Sequence, residues 1–110
     1  MSASRSDRKG FARINTATLG DNTIIAAPSK GHIEIDHINI LPSGGTNTIT
    51  LKSGSTAKVD YALDDNQALA LDIPVQNELA LAEAEALVLN LSAATLVTGF
   101  VLYRIVGEGQ

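Results

Sequence analysis

The chain has 110 residues, 45% of them apolar, with a net charge of −4 and no cysteine. That length holds one domain around one hydrophobic core, and the lack of cysteine excludes disulfides, thiolate metal sites and thiol nucleophiles. The charge is split: residues 1–13 carry four basic side chains against one acid, net +3, whereas the other 97 carry four against eleven, net −7. An acidic body speaks against nucleic-acid binding, since phosphate contacts need clustered Lys and Arg. No run approaches the roughly 18 apolar residues that span a bilayer, and the polar N-terminus has no signal-peptide apolar stretch. With two Phe, two Tyr and no Trp, the core must be thin and aliphatic, which suits two small sheets packed face to face.

Residues 1–10 have one apolar side chain besides the initiator Met and read as part of a flexible basic arm, expected over 1–12, ahead of a single domain over 13–110. From Phe11 onward, turn signals recur at roughly 8–12 residue intervals, the spacing of a sandwich or barrel. Strands are expected at 12–19 and 22–28. HIEIDHINIL (32–41) alternates with Ile33 and Ile35 on one face, then Ile38 and Ile40. The slip of phase at Asp36-His37 is what a β-bulge produces. Pro42-Ser43-Gly44-Gly45 reads as a turn. In 46–52, Ile49 and Leu51 share a face. In 57–63, Val59, Tyr61 and Leu63 point inward, with Lys58 and Asp60 outward. Asp64-Asp65-Asn66 is a polar turn. In 68–73, Leu69, Leu71 and Ile73 align, and Pro74 closes the segment.

Residues 77–94 set propensity against pattern. Their Ala, Leu and Glu content favours a helix. Leu79/Leu81 and Leu87/Leu89/Leu91 recur at period two and favour two strands with a turn near 82–86, and the strand reading is preferred. The last segment, LVTGFVLYRIV (96–106), is apolar on both faces, as in a central strand or one whose outer face meets a partner. The fold class is therefore all-β: a small β-sandwich of two four-stranded sheets, jelly-roll-like, with an extended basic N-terminal arm.

The stretch from ITLKSG to the C-terminal ALVLNLSAATLVTGFVLYRIV resembles small decoration (cement) proteins of tailed-bacteriophage capsids. The matching residues are Ile49, Leu51, Gly54, Leu87, Leu89, Asn90, Leu91, Ser92, Ala93, Thr95, Gly99, Tyr103 and Arg104, and the resemblance covers residues 31–106. It departs at 79–86, which is rich in Ala and Glu where such chains carry a Gly-containing turn. The resemblance implies a jelly roll on the outer surface of the virion, made in the host bacterial cytoplasm. It also implies the major capsid protein as partner, self-association as a dimer or trimer, and no cofactor.

Several constellations invite a chemical reading. His32, Glu34, Asp36 and His37 hold metal-ligand types on one strand, but no further ligand is identifiable from another strand, and polar residues on an outer sheet face are the preferred account. Asp60, Asp64, Asp65 and Asp72 lack the spacing of a calcium loop. No serine lies in a nucleophile motif, chance carboxylate pairs abound in so acidic a body, and neither Gly44-Gly45 nor Gly107 and Gly109 form a phosphate-binding loop. No catalytic, cofactor or metal residues are assigned, and the chain is not expected to be an enzyme. Tyr61 and Tyr103 are read as core or interface residues.

The residues expected to grip a capsid are Arg5, Arg8, Lys9, Phe11 and Arg13. In 96–106 the even-numbered and odd-numbered residues make two largely apolar faces, either of which can fill the core; Arg104 favours the even-numbered face as the outer one, where Phe100, Leu102 and Arg104 would form an oligomer interface. No nucleic-acid or membrane partner is expected. The competing assignment is a tail, baseplate or fibre β-sandwich module with a receptor- or partner-binding role.

Overall fold

A computed structural model describes residues 8–72 and 80–107. Eight strands are present among them: β1 (Arg8–Thr16), β2 (Gly20–Ile25), β3 (His32–Ser43), β4 (Asn47–Ser53), β5 (Thr56–Leu63), β6 (Leu69–Asp72), β7 (Leu87–Leu91) and β8 (Leu96–Val106). They form two antiparallel four-stranded sheets, β1-β8-β3-β6 and β2-β7-β4-β5. That order is the jelly roll, in which the chain crosses between the sheets at every connection but β4–β5 and the last strand lies beside the first.

The core is aliphatic, as the composition requires. One sheet contributes Ile14, Ile33, Ile35, Ile38, Ile40, Val97, Val101 and Ile105; the other contributes Ile25, Ile49, Leu51, Leu63, Leu87, Leu89 and Leu91. Each buried side chain of this size stabilises the fold by roughly 1.5–3 kcal/mol. The register of β3 on β8 skips a residue between Ile35 and His37. Asp36 is thus the bulge, and it lets Ile33/Ile35 and Ile38/Ile40 face the same core. Val59 and Tyr61 pack against that core, and burial raises the Tyr61 phenol above its usual range.

Two boundaries differ from the sequence reading. Residues 8–12, assigned to the arm, form the first half of β1: Arg8 to Ala12 pair with Ile105 to Val101. The polar look of this stretch reflects an edge strand with one face in solvent. Arg5 and the rest of 1–7 lie outside the described residues. Pro42 and Ser43 extend β3 where a turn was expected. Their position is past the end of β6, whose pairing stops at Ile40, so the missing Pro42 N–H leaves no ladder bond unmade.

The 77–94 segment is not helical among its described residues. Leu81 and Leu87–Leu91 are buried except Asn90, and a turn spans Glu83-Ala84. This turn is stapled to both sheets. Leu81 and Ala84 N–H donate to the carbonyls of Ile33 and Gly31, each at 2.8 Å, and Gly54 N–H donates to Ala86 O at 2.9 Å. The buried Ser53 hydroxyl accepts from Ala82 N–H at 2.9 Å and donates to Glu85 at 2.6 Å. At the opposite end, the buried Asn47 amide donates to Ala93 O and Thr95 Oγ1 at 3.0 and 2.9 Å and accepts from Ser92 N–H at 3.0 Å. It secures the β7–β8 turn.

Gly99 faces Ile14 and Ile40 in the neighbouring strands at φ 148°. A β-carbon there would overlap the Asn39 carbonyl, so the close approach of β8 to β3 requires glycine at this position.

Two predictions follow from this packing. Val101→Asp, at a fully buried site, abolishes cooperative unfolding because an unpaired buried charge costs several kcal/mol. Phe100→Asp, one residue earlier and facing outward, retains a cooperative transition; chemical denaturation distinguishes the two. Separately, Ala84 adopts φ 57° without being glycine, at the turn where the resembling chains carry one. Ala84→Gly should therefore raise the unfolding free energy by about 0.5–1 kcal/mol, since the left-handed region strains an L side chain. An unchanged or lower midpoint would contradict this.

Candidate functional site

Alternation in β1 and β8 sends odd residues of the first and even residues of the second to the outer face of the β1-β8-β3-β6 sheet. The register aligns them in rows. Lys9, Arg104 and Glu34 form one row. Phe11, Leu102, His37 and Asp72 form the next, and Arg13, Phe100, Asn39 and Ala70 the third. Phe11 is 64% exposed and Leu102 40%. The diagonal neighbours stack: the Phe11 and Phe100 rings lie 5.6 Å apart at 17°, and the Phe100 and His37 rings 5.5 Å apart at 22°. On the far side of His37, Nδ1 lies 2.6 Å from an Asp72 carboxylate oxygen. The result is an aromatic row crossing three strands, ending on an acid carried by the fourth.

This geometry merges two sites that the sequence treats as separate. Phe11, expected to anchor a free arm, stacks on Phe100, expected at an oligomer interface. Lys9 and Arg13 stand on the same face, both exposed. Arg8 lies at the start of β1. Arg104 is set apart from Phe100 and Leu102 by its bonding. Its guanidinium donates to Glu34 at 2.9 Å and to both Asp36 oxygens at 3.0 and 3.1 Å, and it is only 12% exposed. Arg104 therefore braces the bulge.

Glu34 is further bound to His32 Nε2 at 2.8 Å. The residues weighed as a metal set are thus held as two acids around a guanidinium, with His37 directed elsewhere, and no three ligand-type side chains converge among the described residues. Asp60, weighed for calcium, accepts from Thr50 at 2.7 Å, and Asp65 accepts from Gly44 N–H at 2.8 Å. Sequence reasoning missed the places of His37 and Asp72 in the aromatic row. Counting parity on through the Asp36 bulge puts His37 on the outer face; its place beside Leu102 and Asp72 comes from the register of β3 on β8 and β6.

The other sheet has a different outer face. Asp21, Asn90 and Lys52 bond together: Asn90 donates to Asp21 at 2.7 Å and Lys52 at 3.0 Å. No aromatic residue belongs to this network.

The chain matches no described protein family and no curated protein sequence. Among solved structures it is similar to the virus-like particle of the extra small virus of the giant freshwater prawn Macrobrachium rosenbergii. That match has 13% identity over 94% of this chain and 82% of the other, with a TM-score of 0.43. It is also similar to PirA, with 14% identity over 93% and 96% of the two chains and a TM-score of 0.38. Likenesses this remote carry no argument about function.

The Asp21 carboxyl is held below its ordinary 3.8, first by the Asn90 hydrogen bond and then by Lys52. Because the folded-state value is depressed, the linked stability is present above pH 3.8 and lost as pH falls through the folded value. NMR titration should show the Asp21 midpoint rising toward 3.8 in Asn90→Ala and in Lys52→Met alike. An unmoved midpoint in either variant would show that the side chain it removes is not a cause.

Proposed function

We propose that this chain is a structural protein of a virion, a decoration protein that coats the outer surface of a tailed-phage capsid and strengthens contacts between its major subunits. The observation that carries this reading is the aromatic row on the outer face of the β1-β8-β3-β6 sheet. Phe11 and Leu102 stand exposed side by side with Phe100 against them, and apolar patches rimmed by charge mark protein–protein contacts.

The sequence resemblance supports the same reading. The residues that carry it have definite work in the jelly roll: Leu87, Leu89 and Leu91 fill the core, Ser92 and Thr95 bind Asn47, Gly99 permits close strand approach, and Arg104 braces the bulge.

In the proposed mechanism two contacts divide the task. The sheet face joins copies of the protein, and the basic N-terminal residues ahead of and at the start of β1, Arg5 and Arg8, reach the shell. A ligand that binds only the assembled shell stabilises it by mass action, and many linked copies add avidity.

The test is co-sedimentation of the full chain with capsids assembled without it. Binding is expected at low salt and should weaken as salt rises, because exposed charges are screened within about 10 Å at 0.1 M. Arg5→Glu with Arg8→Glu should weaken binding at least tenfold while the protein keeps a cooperative unfolding transition. Deleting residues 2–13 is not a clean test, since it removes most of β1. Failure of the wild-type chain to bind capsids at any salt concentration would reject the decoration reading.

A further inference from the structure

We infer that the outer face of the β1-β8-β3-β6 sheet packs against the same face of a second copy, about a two-fold axis parallel to the strands. This deepens the self-association assigned to that face above. It does not need the shell, so a dimer in solution and binding to capsids can succeed or fail separately.

The argument rests on the order of charge across the face. Strand β1 presents Lys9 and Arg13 at one edge. Strand β8 presents Phe100 and Leu102, and β3 presents His37. Strand β6 presents Asp72 at the other edge, with its side chain 93% exposed. Among the described residues no ion pair engages Lys9 or Arg13. The face thus runs basic, apolar, acidic.

A face of this kind complements itself when turned over about an axis along its strands, because β1 of one copy then lies over β6 of the other. The register sharpens the match. Phe11, Leu102, His37 and Asp72 share one row, and this axis leaves rows at their own level. Asp72 of the second copy therefore arrives over Phe11, between Lys9 and Arg13, which stand roughly 7 Å to either side. Each β8 then lies over β3 of the other copy, with Leu102 level with His37 and Phe100 level with Asn39. An axis across the strands would instead set β1 over β1 and bring Lys9 and Arg13 against their own copies, so charge selects the first axis.

Size and polarity also fit. Strands β1, β8 and β3 have nine, eleven and twelve residues and β6 four; at about 4.8 Å between strands and about 3.4 Å per residue, β1 over β6 and β8 over β3 overlap on the order of 500 Å² per copy, which doubled is at the small end of specific interfaces. Arg104, Glu34 and Asp36 are already bound to one another, so closing the face strands none of these charges without a partner.

The test is sedimentation velocity of the full chain over a hundredfold concentration range reaching about 100 µM. The wild type should reach twice its monomer mass. Asp72→Lys alone, and Lys9→Asp with Arg13→Asp alone, should each sediment as monomers and keep a cooperative unfolding transition, since all three side chains are exposed and Asp72→Lys gives up only the His37 contact. Mixed in equal amounts, the two variants should recover the dimer: each of the two edge contacts then again pairs opposite charges. A monomeric or trimeric wild type would overturn the inference, as would a dimer undisturbed by either charge reversal. Monomers persisting in the mixture would overturn the axis.

Discussion

Strand β3 carries four buried isoleucines, two on each side of the inserted Asp36, and the fold depends on that insertion. Without it, Ile38 and Ile40 would point to solvent and His37 into the core. Shifting parity by one residue exchanges the faces of everything downstream. The bulge also needs an electrostatic brace, because its extra residue is an acid. Arg104, on the neighbouring strand, supplies the brace through Asp36 and Glu34. The longest ladder of the molecule, eleven register pairs between β3 and β8, is built around this arrangement. Strand β1 is laid on the other edge of β8 and inherits its register from it.

The two outer faces differ in how their polar side chains are satisfied. On the β2-β7-β4-β5 sheet, outward side chains spend their polarity on one another, as Asp21, Asn90 and Lys52 do. Little is left there to attract a partner. On the other sheet the same alternation exposes phenylalanine and leucine, with charges at the margins. This asymmetry, rather than any single residue, distinguishes the two faces.

Much of this was legible in the sequence, and the reasons are local. Alternation in 46–52 and 57–63 placed Ile49, Leu51 and Leu63 in the core. The broken alternation at 32–41 located the bulge, and the even-numbered residues of 96–106 were assigned to the outside, where Phe100 and Leu102 stand. At 77–94, helix propensity yielded to period-two leucines, because tertiary burial outweighs an intrinsic preference of a few tenths of a kcal/mol per residue. The limits were equally physical. Arg8–Ala12 look polar because an edge strand with one solvated face needs few apolar residues. The Phe11–Phe100 stack depends on pairing residues some ninety positions apart, and nothing local encodes that register. Asp72 meets His37 only through the β3–β6 pairing.

The register of β1 on β8 has one more consequence. Arg8 lies opposite Ile105, so the described chain enters and leaves the sandwich at one end. The Gly44-Gly45 turn and the Asn47 clasp lie at the other. A short linker across the first end would allow the chain to be circularly permuted and reopened at Gly44-Gly45. The β8–β1 ladder, which now closes a loop nearly as long as the domain, would then become a hairpin. Lower contact order speeds folding, so such a permutant should reach the same jelly roll faster than the natural chain order allows.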